Sequence, residues 1–99
     1  MLTIEKILNG SELVVELNGR LDTNTAPELE EKLHESFDDV TALTVDMAGL
    51  EYISSAGLRV LLSAQKTMNK QGTMKVAHVK NTIMEIFEVT GFSDILTIE

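Results

Sequence analysis

The sequence predicts one α/β domain built on a mixed sheet with helices packed on it, and three observations carry that prediction. Two short apolar segments flank Asn9-Gly10-Ser11, and Asn-Gly between such runs signals a β-hairpin. After this hairpin, strand-like and helix-like patterns alternate to the last residue, which demands crossover connections and a largely parallel sheet. Finally, 99 residues can enclose one core and leave no room for a second. The expected order is ββαβαβαβ over residues 1–99.

The opening strands are Thr3–Leu8 and Glu12–Leu17; in the second, Leu13, Val15 and Leu17 alternate with Val14 and Glu16, so one face is core. Asn18-Gly19 ends this strand or puts a bulge in it before Arg20-Leu21-Asp22. Next comes the loop Asp22-Thr23-Asn24-Thr25. With Thr25 as N-cap, Pro27 falls in the first turn and Glu28 at the third helical position, which matches a capping box. The helix then carries Ala26, Leu29, Leu33 and Phe37 on one face and its charges on the other, and Asp38-Asp39 breaks it.

Thr41–Met47 reads as a strand with Leu43, Val45 and Met47 inward; Ala42, Thr44 and Asp46 predict incomplete burial on its second side. A short loop leads to Ser54, an N-cap candidate, and to a helix over about Ser55–Asn69. Gly72 is its expected left-handed cap. Thr73–Val79 is apolar on both faces, as an interior strand is. Asn81 or Thr82 can cap a third helix, closed by Gly91, and Ile95–Ile98 is the last short strand.

Composition narrows the function classes. A formal charge of −8 argues against nucleic acid, which needs clustered Lys and Arg, and against anionic membrane surfaces. No apolar run approaches a membrane span, the N-terminus lacks the pattern of a secretory signal, and there is no cysteine for disulfides or thiolate metal sites. A cytoplasmic location is expected. His34 and His78 lack ligand spacing, so neither a metal nor a cofactor is expected. Ser55, His78 and Asp22 could be drawn as a triad, but the residues around Ser55 do not match a nucleophile elbow. No catalytic residues are assigned, and no enzyme is expected. Asp22 and Asp46 each read as ending a strand, where functional groups collect in parallel sheets; equally, they can bond to backbone nearby.

The most informative stretch is the serine turn. Ser55 lies in a first helical turn, where free N–H groups and the positive dipole end favour an anion. Gly57 is expected to leave room there for another molecule. Asp46-Met-x-x-Leu50-x-Tyr52-Ile53-Ser54-Ser55-Ala56-Gly57-Leu58 resembles the signature of the STAS domain, shared by anti-sigma factor antagonists and the cytoplasmic tails of sulfate transporters. Leu17-Asn-Gly19-Arg-Leu21-Asp22 resembles the family's Gly-x-Leu-Asp element, and the resemblance runs over nearly the whole chain.

What the resemblance implies is a switch. The family's antagonists are phosphorylated, at a position that falls on Ser55, by a serine kinase that is also the anti-sigma factor. The unmodified antagonist binds that kinase and frees the sigma factor; a PP2C-type phosphatase restores it after modification. The implied partner-binding surface comprises Asp22, Thr23, Asn24, Glu51, Tyr52, Ser54, Ser55, Ala56, Gly57 and Arg59. Two positions depart from the best-known antagonists, which have Asp at Ser54 and Ser or Thr at Ala56; Ser54 is thereby left as a competing acceptor. The alternatives are a STAS adaptor or structural module that is never phosphorylated, and a small hydrolase or nucleotide-binding enzyme.

Overall fold

A computed structural model describes residues 1–99. Strands β1 (Leu2–Asn9) and β2 (Glu12–Leu21) form the hairpin, followed by α1 (Ala26–Ser36), β3 (Ala42–Ile53), α2 (Ser55–Gln71), β4 (Thr73–Ala77) and α3 (Asn81–Thr90). A 3₁₀ turn at Phe92–Asp94 precedes the C-terminal residues. The sheet order is β1-β2-β3-β4, with β1 antiparallel to β2 and the other pairs parallel. The hairpin turns at Gly10-Ser11, where Gly10 takes a φ of +64° that most side chains disfavour.

Chain neighbours are also sheet neighbours, so successive crossovers step the same way and leave their helices on one face. One apolar cluster joins Leu13, Val15 and Leu17 of β2 and Leu43, Val45 and Met47 of β3 to Leu29 and Leu33 of α1, Leu61 and Met68 of α2, and Ile83 and Phe87 of α3. Each such side chain contributes about 1.5–3 kcal/mol on burial. The opposite face has no cover: Val14, Glu16, Ala42, Thr44 and Asp46 are only half-buried. This matches the incomplete burial expected for the second side of β3.

Several details differ from the expectations. The loop after Met47 does not exist, because β3 runs on to Ile53. It does so through two register shifts against β2, at Glu16/Asn18 and Gly19/Arg20, and both leave the extra residue on β3. Each irregularity breaks the two-residue alternation by which a strand is recognised. β4 stops at Ala77, and His78 leaves the strand at a φ of +57°. β4 is not interior: its outer edge meets only the chain end, where Val76 N donates to Thr97 O at 2.8 Å and Glu99 N to Val76 O at 2.9 Å. The predicted last strand is thus reduced to a single bridge, Val76 to Ile98, since Ile95 and Leu96 are still in the turn, their N–H groups both donating to Phe92 O, at 3.0 and 2.8 Å.

Gly72 is extended (φ 171°), not left-handed; a Cβ there would collide with the Thr41 carbonyl oxygen, so close approach explains the glycine. The third helix starts from Lys80, without a side-chain cap from Asn81 or Thr82. Gly91 closes it in the left-handed region, as expected. No helix is long and apolar enough to cross a membrane.

Candidate functional site

The site is built where β2 and β3 end side by side. After Leu21 the chain turns on Asp22, whose Oδ1 accepts from the Asn24 and Thr25 backbone N–H groups, each at 3.0 Å. Thr25 Oγ1 accepts in return from Asp22 N at 2.8 Å and donates to Arg20 O at 2.8 Å. This is a reciprocal capping arrangement one turn ahead of the one expected. Thr25 makes no side-chain cap for α1, because its hydroxyl is engaged by Arg20 and Asp22, so the Thr25–Glu28 box does not form. The Thr25 backbone N–H, with further bonds from the Thr25 hydroxyl and Asn24 N–H, holds the Asp22 carboxyl below the ordinary carboxylate range.

The second half begins where Ser54 N donates to Leu21 O at 2.9 Å, tying the serine turn to the Asp22 loop. Ser54 caps α2 as expected: its Oγ accepts from Gly57 N at 3.4 Å, and its carbonyl accepts from Leu58 N at 3.0 Å. Ser54 is half-buried and committed. Ser55 is exposed, and its hydroxyl has no hydrogen-bond partner in the chain. No acidic residue occupies the first turn of α2.

Gly57 faces inward and not toward a visitor. A Cβ there would lie 2.7 Å from Leu21 Cγ and 2.9 Å from Ile53 Cγ1, so its smallness lets α2 settle on the strand ends. Between α1 and α2 runs a shallow groove of about 350 Å³, lined in part by Thr23, Ala26, Pro27, Glu30, Ala56 and Arg59. Thus Thr23, Ala56 and Arg59 share one groove, and Asp22 is one residue from the Leu21–Ser54 bond. Asn24 is exposed in the same loop. Glu51, exposed, is the residue of β3 that the register passes over between Leu50 and Tyr52.

Sequence reasoning gave Arg20 no role. It pairs in register with Tyr52, places its guanidinium 4.2 Å from the centre of that ring, and brings Nε to 3.9 Å from Asp22 Oδ2. It thereby links Tyr52 to the loop through a cation–π contact. Its place in the Gly-Arg-Leu-Asp element was legible; its partner depends on the second register shift. The α1 wall of the groove (Ala26, Pro27 and Glu30) was also unassigned, because only the packing of the two helices creates it.

Asp46 does not belong to this site. It lies mid-strand, with the rest of β3 between it and the serine turn; its Oδ1 accepts from Ala48 N at 3.0 Å and approaches His78 Nδ1 at 3.1 Å. His34 faces Glu30 at 3.8 Å on the surface of α1. Asp22, Ser55 and His78 therefore do not assemble, and the triad drawn from them has no geometry. What the turn offers chemically is a free hydroxyl at a helix start, beside a groove.

Comparisons with known proteins agree with this architecture. The family model described as the STAS domain matches residues 3–99. The anti-sigma-B factor antagonist of Bacillus subtilis is 30% identical over 91 residues, covering 91% of this chain and 84% of that protein. An anti-sigma factor antagonist from Mycobacterium paratuberculosis superposes with a TM-score of 0.90 at 23% identity, over 99% of this chain and 85% of the other. The Bacillus cell fate determinant SpoIIAA in its phosphorylated form superposes at 0.75 with 17% identity, over 100% and 91%. The chain belongs to the STAS domain family.

Proposed function

We propose that this chain is a cytoplasmic anti-sigma factor antagonist that binds an anti-sigma factor serine kinase and is released from it by phosphorylation of Ser55. One observation carries the reading: of two adjacent serines, Ser54 spends its hydroxyl on Gly57 N–H and Ser55 leaves its own exposed. A relative that matches over most of this chain bears the name anti-sigma-B factor antagonist, and the same fold carries phosphate in SpoIIAA.

In the transfer, Ser55 Oγ forms a bond to the γ-phosphorus of ATP as the bond to ADP breaks, and the hydroxyl proton leaves to a base on the kinase. A PP2C-type phosphatase returns the hydroxyl by hydrolysis. The added −1.5 to −2 charge sits at a helix N-terminus, where it is tolerated, so the domain stays folded. Inside an interface, however, an uncompensated charge costs several kcal/mol, enough to lower affinity by orders of magnitude.

Incubation with the cognate kinase and ATP, followed by mass spectrometry, should place a single phosphate on Ser55 and none on Ser54. Ser55→Asp should stay folded and bind the kinase at least about tenfold more weakly; Ser55→Ala should bind and resist switching. Equal binding by Ser55→Asp and wild type would refute the switch and favour an adaptor that is never phosphorylated.

A further inference from the structure

Arg59 follows Ser55 by four residues on α2, the spacing that puts two side chains on one helix face with Cβ atoms about 5–6 Å apart. Both residues are exposed. The ion pairs of the chain engage Lys6, Arg20, Lys75 and the two histidines, and leave Arg59 without a partner. It is an uncommitted cation on a chain of formal charge −8, at the rim of a groove whose other wall carries Glu30.

We infer that Arg59 is the intramolecular counter-charge of phosphorylated Ser55. A guanidinium presents a planar fork of donors that matches two phosphate oxygens. The order is also the favourable one, with the anion N-terminal to the cation, so that each charge faces the helix-dipole end that suits it. Before modification, Arg59 is free to meet an acidic group of a partner docked along the groove. Afterwards the guanidinium is drawn to the phosphate, and the docking surface loses a donor as well as gaining bulk. This rests on Ser55 as the phosphate acceptor, but not on which enzyme delivers the phosphate.

The test uses the full chain made with phosphoserine placed at position 55 during synthesis, so that no kinase is needed. Titration followed by phosphorus NMR reads the second ionisation of the phosphate, ordinarily near pH 6. The acids on the surrounding elements are Glu30 across the groove, Asp22 in the adjoining loop and Glu51 near the end of β3. Glu30→Gln measures the competition that the acid on the groove wall offers for Arg59. Arg59→Gln should raise the phosphate pKa by about 0.3 unit or more, Arg59→Lys should fall between, and the difference should shrink in 1 M salt.

The Arg59 Nε–H resonance should also move between the unmodified and phosphorylated chains. The same phosphate pKa in wild type and Arg59→Gln at low salt, or an unmoved Arg59 resonance, overturns the inference. Should the kinase fail to modify Ser55, the proposed function falls while this measurement still stands or fails by itself.

Discussion

The first two helices follow the ends of the adjacent strands β2 and β3, yet their N-termini are filled in opposite ways. The approach to α1 is closed by the chain's own carboxylate: Asp22 binds two backbone N–H groups and receives Thr25 in return. The start of α2 has only a neutral hydroxyl, Ser54, over a longer bond of 3.4 Å, with no acid in its first turn. Both ends carry the partial positive charge of a helix dipole. The first has a carboxylate beside it; the second has none. One helix start is therefore closed by the chain itself, and the other carries no charge of its own.

The contrast can be broken most severely at Gly57. Gly57→Ala forces a methyl against Leu21 and Ile53 and should cost about 3 kcal/mol, at the upper end of overpacking, read as a lower urea midpoint with an unchanged slope. If the variant is as stable as wild type, α2 does not need that close seat. Thr25→Val keeps the shape but removes the hydroxyl shared by Arg20 O and Asp22 N. Two partly buried backbone groups lose their partner, and a loss of about 2 kcal/mol is expected from the same melts.

Ser54→Asp sharpens the comparison by giving α2 the acid that α1 already has. It should stabilise the domain by about 0.3–1 kcal/mol at low salt, with the gain fading as salt rises. The smallest effect at neutral pH is that of Asp22→Asn, since Asn is also a good cap. Its consequence appears in acid. The folded-state pKa of Asp22 is depressed, so its contribution is complete above the unfolded value, about pH 4, and is lost as pH falls through the folded value. Wild type should lose that contribution below about pH 4, whereas the variant should show a shallower acid limb in pH-dependent melts.

Much of this was legible beforehand. Asn9-Gly10 marked the hairpin, the spacing of Ala26, Leu29, Leu33 and Phe37 marked the buried face of α1, and Ser54 was read correctly as a cap. What escaped were features whose cause lies far along the chain. Ala48–Ile53 looked like a loop because two register shifts interrupt its alternation. Gly57 looked like open space because the residues that crowd it, Leu21 and Ile53, come from two other elements. Asp46 looked like a strand end beside the serines because the length of β3 was underestimated.

By itself, then, the sequence determined the succession of strands and helices as far as α3 and the presence of two serines at a helix start. Those follow from local backbone preferences and from the period of apolar residues, which neighbouring positions encode. Only the tertiary structure decided which hydroxyl was spent and which was spare, and which glycine faced inward. It also decided that Arg20 would meet Tyr52. Each of these depends on a partner brought close by strand register and helix seating, and such a partner is set by the packing of the whole sheet.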